Sequence, residues 1–257
     1  MFAPRSTNIF IKLCILVLFT LLSHATLSAA ATAPCQPFIG ERLNFSVGWE
    51  FINAGSADLA VSAPKDGEYR MLTHARTNKF LDIFKKVRDT ITAEGICTHG
   101  KTQSTLFQLD QQERHYVAKK KTVFEWQHNR VAYTEKEKTD FYDVPAGHDH
   151  VMDAFFKVRS MTLTPGQVIH LPIFDSRKLY DVVIHIGKKT KLIRAPWGKK
   201  VACISITPLL KTEGIFSSAG TMKIWVTNDD RHIPLKLIAK IKIGSIIGRL
   251  TQYQEPM

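Results

Sequence analysis

Glu41-Arg42-Leu43-Asn44-Phe45-Ser46-Val47-Gly48-Trp49-Glu50-Phe51 runs straight into Ile52-Asn53-Ala54-Gly55-Ser56-Ala57-Asp58-Leu59-Ala60-Val61, and the reading of this stretch decides the fold. Leu43, Phe45, Val47, Trp49 and Phe51 alternate with smaller or polar residues. A two-residue period puts all of them on one face of a strand. Asn53-Ala54-Gly55 has turn chemistry, with Gly55 free to take positive φ. Ala57, Leu59 and Val61 alternate again on the return. The expected unit is a β-hairpin with one wet face and one buried face, which needs a second apolar layer to cover it.

Outward from this hairpin the β rhythm continues. Residues 64–67 read as a turn and 69–77 as a strand. Strands are expected over 87–96, 105–110, 114–121, 122–127 and 130–134, with His128-Asn129 as a tight turn and 135–142 as a further hairpin arm. Residues 78–86 fit either a short helix or a strand crossover; Phe80, Leu81, Ile83 and Phe84 are expected in the core, and would make an apolar patch if exposed. The clear helical pattern is 149–160, where Met152, Phe155, Phe156 and Arg159 recur at 3–4 spacing and Asp149 or His150 can cap the start. This helix is expected to cover the apolar concave face of the sheet. Strands resume over 167–174, 179–186, 189–195, 200–210, 221–227, 233–243 and 245–253. Short strands separated by turn residues indicate a sandwich, a barrel or an open barrel. With no linker, repeat or low-complexity run, residues 32–257 read as one domain.

Residues 1–31 read as a secretory signal peptide: Arg5 and Lys12 in front, an apolar run over 13–22, and small residues ending in Ala29-Ala30-Ala31. Its removal leaves about 225 residues, within the range of one β domain. It also lowers the net charge from +12 to about +10, a balance suited to anionic envelope surfaces. The expected location is therefore periplasmic or outer-envelope associated, with membrane contact peripheral at most. Cys35 and Cys97 sit in loop-like contexts and are expected to form a disulfide in an oxidising compartment. Cys203, in Val201-Ala202-Cys203-Ile204-Ser205-Ile206, reads as a small apolar filler of a buried strand.

Several collinear landmarks carry a family resemblance: Gly-Glu-Arg-Leu-Asn-Phe-Ser-Val-Gly-Trp at 40–49, Asn-Ala-Gly at 53–55, Lys-Val-Arg-Asp at 86–89, Leu-Thr-Pro-Gly at 163–166 and Leu-Pro-Ile-Phe-Asp at 171–175. Ala-Pro-Trp-Gly at 195–198, Lys-Thr-Glu-Gly-Ile-Phe at 211–216 and Ile-Trp-Val-Thr-Asn-Asp-Asp-Arg-His-Ile-Pro at 224–234 continue it. Together they resemble the DUF3108 family of exported bacterial envelope proteins, whose function is unknown. The resemblance implies a curved antiparallel sheet of open-barrel type; with the strands and helix read above, the expected fold is mainly β, a single-domain open or half barrel with one helix across the concave face. It also implies an Asp near the helix start, where this chain has His150 with Asp149 beside it.

The residues that could carry chemistry point away from catalysis. No Gly-x-Ser-x-Gly elbow, Cys-x-x-Cys or Gly-rich phosphate loop occurs. No cofactor is expected, and nucleic acid is excluded as a partner by export and by the lack of a recognised motif. His148 and His150 flank Asp149 and are weak metal candidates, since residues so close on a loop rarely converge on one ion. The apolar side chains Phe45, Trp49, Phe155 and Phe156 are expected to line a ligand cavity, and Lys236, Lys240 and Lys242, which share one strand face, its cationic rim. Lys188 to Lys200 and Lys119 to Lys121 form two further basic clusters. Apolar lining beside cations suits a lipid, lipoprotein or anionic glycolipid. A protein-interaction module of an envelope assembly is the competing reading, and a hydrolase of unknown class the third.

Overall fold

The computed structural model describes residues 35–209, 221–241 and 244–257. The expected signal peptide, the landmark at 211–216 and Lys242 lie outside the described residues. Pro34–Met257 is one compact unit.

The chain first lays down an antiparallel meander of β1 (Arg42–Trp49), β2 (Ile52–Ser62), β3 (Glu68–Thr77), β4 (Arg88–Thr98), β5 (Lys101–Glu113), β6 (Tyr116–Glu125), β7 (Arg130–Glu135) and β8 (Lys138–Asp143), with helix α1 (Lys79–Lys85) between β3 and β4. After helix α2 (Val151–Ser160) come β9 (Val168–Asp175), β10 (Lys178–Ile186), β11 (Lys191–Arg194), β12 (Lys200–Leu209), β13 (Thr221–Thr227), β14 (Pro234–Lys240) and β15 (Ser245–Gln254). The strand order is β8-β7-β6-β5-β4-β3-β2-β1-β15-β14-β13-β12-β10-β9, with β11 paired to β12 alone. The first and last strands therefore meet in the middle of one open, curved antiparallel sheet, and Phe45 faces Leu250 across the join. Its two edges, β8 and β9, are consecutive in the chain, and the segment joining them carries α2 into the concavity.

Backbone contacts of the joining segment and packed side chains knit these edges, with no ladder between them among the described residues. Asp149 makes a parallel bridge to Ile173 of β9, and Val144 N–H donates to Asn129 C=O. Phe124, Val131, Val144 and Phe174 pack as one cluster, and Arg177 reaches Glu135 at 3.1 Å.

Helix α2 has only ten residues and would be marginal alone. Packing holds it. Phe156 joins Phe38, Leu43, Tyr69 and Met71 under the first wing of the sheet. Ala154 and Val158 join Ile173, Ile184, Ile204 and Val226 under the second. Burying Phe156 contributes about 1.5–3 kcal/mol. At the last turn Arg159, fully buried, donates from both terminal nitrogens to Glu41 at 2.7 Å, and from Nε to the His232 carbonyl at 3.0 Å. Its guanidinium also lies 4.2 Å from the Phe38 ring centroid.

Three local readings are corrected. The first hairpin turns at Glu50 (φ 51), not at Asn53–Gly55, which lie inside β2. Gly55 is needed for close approach instead: a Cβ there would collide with the Arg76 carbonyl. Phe51 is consequently at the turn and fully exposed. Residues 79–85 form a helix capped by Asn78, whose Oδ1 accepts from Leu81 N–H, but Phe80 and Ile83 are exposed rather than core. Finally, residues 116–125 are one strand where two were expected.

Cys35 and Cys97 are disulfide-bonded with 62 residues of separation, and Cys203 is free and fully buried. Burial pushes the Cys203 thiol up to about 11. Replacing both bonded cysteines by serine is expected to cost about 2–4 kcal/mol in urea unfolding; an unchanged midpoint would show the link to be dispensable. Arg159→Met strands a buried carboxylate and is expected to cost about 3–5 kcal/mol, whereas Glu41→Met/Arg159→Met should lose less than the two single variants summed. Strict additivity in the same assay would refute the coupling.

Candidate functional site

Between α2 and the concave sheet lies an apolar cavity of about 330 Å³. The helix supplies Val151, Met152, Ala154, Phe155 and Val158; β1 supplies Phe45 and Val47; β9, β10, β12 and β13 supply Ile173, Val182, Ile184, Ile206 and Ile224. Strand alternation explains the set: Phe45 and Val47 point inward with Leu237 and Ala239 of β14, while Lys236 and Lys240 take the other parity. Gly248 sits directly opposite both Val47 and Leu237, so its missing side chain leaves room in the middle of the lining. A Cβ there would make only ordinary contacts, the nearest being Leu237 Cβ at 3.6 Å.

The lining offers little polarity. Asp58 is engaged by His74 Nδ1 at 2.9 Å. Thr73 Oγ1 is buried and has no hydrogen-bond partner among the described residues.

The start of α2 is held by a separate buried polar cluster. His150 caps the helix, its Nδ1 accepting from Asp153 N–H at 3.0 Å. Asp153 Oδ2 accepts from Tyr69 Oη at 2.8 Å and Ser104 Oγ at 2.6 Å. Tyr69 reaches it by lying across Gly95, where a Cβ would collide with the phenol. Burial, then Asp153, push the Tyr69 phenol well above the usual tyrosine range. Burial likewise raises the Asp149 carboxyl, against the opposing pull of Lys157, with which it pairs. Ser104 Oγ donates to a carboxylate rather than to an imidazole, and Tyr69, Ser104, His150 and Asp153 are all closed to solvent. The cluster is built to anchor the helix, not to activate a nucleophile.

The residues singled out from sequence divide accordingly. Phe45 and Phe155 line the cavity. Trp49 does not: it stands at the end of β1, 37% exposed. Phe156 faces away from the cavity, packed on Phe38 at 5.1 Å between ring centroids. Lys236 and Lys240 are on the opposite face of the sheet and form no rim to the cavity. His148 and His150 do not converge: His148 is half-buried and contacts the Pro145 carbonyl, while His150 is the buried cap. Among the described residues no group of three His, Cys, Asp or Glu side chains could hold a metal ion. Of the basic clusters, Lys119 and Lys121 lie on β6, far along the sheet from β14, and only Lys191 and Arg194 of the second approach Lys236. Met152, Val158 and the isoleucines of the second wing were missed as lining. Their apolar parity was visible, but which of them leaves a gap depends on the depth at which the helix sits.

A solved structure with a similar fold is that of a β-barrel-like protein of the domain of unknown function DUF1849 from Brucella abortus, 9% identical, with a TM-score of 0.57 over 86% of this chain and 99% of that one. At that identity the likeness concerns fold alone. No curated protein matches the chain. The model of a family described as a protein of unknown function (DUF3108) matches residues 44–251. Spanning nearly all of the sheet, that match places the chain in the DUF3108 family.

Proposed function

We propose that the protein is an exported, non-catalytic binder of an acyl-bearing amphiphile, a lipid or the lipid moiety of a lipoprotein, whose apolar portion occupies the space beneath α2. The cavity of about 330 Å³ with an almost wholly apolar lining is the observation that carries this reading; ligand sites commonly start near ~300 Å³. The lining reaches Ile246, Ala239 and Met222 at one end of the sheet. At that end Trp49, Phe51, Ile52 and Ile246 are exposed at the hairpin tips, with Phe80 and Ile83 on the neighbouring α1. An apolar end of this kind suits contact with a lipid surface during loading. The Cys35–Cys97 disulfide supports an oxidising compartment. The same exposed end also favours the second reading, a protein-interaction module, in which the apolar tips dock a partner and the cavity is only a packing defect.

Native mass spectrometry of the protein purified from its own cells separates the two: a mass excess resolving to one lipid class is expected, and a bare chain would oppose the amphiphile reading. Gly248→Leu fills the cavity from its centre. It is expected to weaken binding of a dansyl-labelled undecanoic acid at least tenfold, with the unfolding midpoint little changed. Full affinity in a folded Gly248→Leu variant would place the probe elsewhere.

A further inference from the structure

The opposite face of the sheet carries a second concavity that the amphiphile reading does not use. Strand β11 leaves the main path and forms one wall of a cleft of about 750 Å³ over the outer faces of β13, β14 and β15. Five cations line it: Lys191 and Arg194 from β11, Lys223 from β13, Lys236 from β14 and Arg249 from β15. Among the described residues no acidic side chain lines it and none of the five is ion-paired with a carboxylate. Trp225 lies among them, with Lys223 Nζ 6.0 Å from its ring centroid.

The register makes this concentration costly. Lys236 is directly opposite Arg249 on one side and Trp225 on the other. Like charges facing each other across neighbouring strands oppose pairing. Lys236 is also partly buried, and that burial, followed by Arg249 and Lys191, pushes its ammonium below the usual lysine range. Protection of a sheet edge, the ordinary use of strand lysines, does not explain Lys236 and Arg249, because β14 and β15 are paired on both sides. A bound anion would offset the repulsion, and a cleft lined by one sign of charge concentrates anions.

We propose that the cleft between β11 and the outer face of β13–β15 is a binding site for a phosphate- or diphosphate-bearing ligand. Lys236 and Arg249 hold the anion on the floor, Lys191 and Arg194 close on it from the flap, and Trp225 packs against the uncharged part. The site is independent of the cavity under α2, since alternate residues of the same strands serve the two faces.

The test is titration calorimetry of the disulfide-bonded protein with sodium tripolyphosphate in 150 mM salt. Lys236→Met/Arg249→Met is compared with Lys119→Met/Lys121→Met, which removes the same charge from β6. Saturable binding is expected in the wild type, at least tenfold weaker in the first variant and within twofold of wild type in the second. The first variant without anion should be at least as thermally stable as the wild type, so lost binding will not reflect lost folding. Gly248→Leu should bind tripolyphosphate normally. Absence of saturable wild-type binding, or equal weakening in both double variants, would overturn the site. Co-sedimentation with phosphatidic acid vesicles in a phosphatidylcholine background then identifies the source. Sedimentation competed away by tripolyphosphate points to a lipid headgroup, and tripolyphosphate binding without sedimentation to a soluble phosphate.

Discussion

Arg159 and Glu41 form a bidentate ion pair in a site with no solvent exposure, and the position of the helix depends on it. Glu41 immediately precedes the central strand β1, Arg159 is in the last turn of α2, and the His232 carbonyl comes from the β13–β14 connection. One guanidinium thus ties the helix end to both halves of the sheet. The desolvation of two charges makes such a pair a poor source of net stability, but a strong penalty on any arrangement that separates them. At the other end of α2, Asp153 accepts from Tyr69 of β3 and Ser104 of β5. A ten-residue helix with both ends fixed by buried polar contacts has little freedom to sink toward the sheet. The apolar space beneath it persists because the polar contacts set the distance.

The sheet divides its two faces by the simplest rule available to a strand. Along β14, Leu237 and Ala239 go inward to the cavity while Lys236 and Ile238 go outward to the cleft. Along β15, Gly248 goes inward and Arg249 outward. The cavity and the cleft therefore share strands without sharing side chains. A change of register by one residue would exchange the apolar set for the charged one, so the meeting of β1 with β15 in mid-sheet is a constraint on both sites at once.

Much of this was legible in the residues. Alternation over 41–49 located β1 and its inward face, and the 3–4 spacing from Met152 to Arg159 located α2. The misreadings have local physical causes. Apolar alternation continued through Phe51, so the turn at Glu50 was hidden, and Gly55 signalled a turn although it serves close strand approach. The apolar residues of α1 suggested core, but its seven residues sit at the outer end of the sheet, where Phe80 and Ile83 stay largely exposed. Parity sets Lys236 and Lys240 on one face of β14 but does not say which side of the sheet that face is, and the fold turns it away from the cavity.

By itself the sequence determined the mainly β character, the one long helix, the apolar and charged faces of each strand and the pairing context of Cys35 and Cys97. Those properties follow from spacing along the chain, which the pleat and the helical turn read directly. Only the tertiary structure decided that β1 pairs with β15, that Phe45 and Phe155 line a cavity while Phe156 fills a core, and that Lys191 and Arg194 come over Lys236 and Arg249. These depend on contacts between residues up to about two hundred positions apart, and spacing within any one strand carries no information about which distant strand will lie beside it.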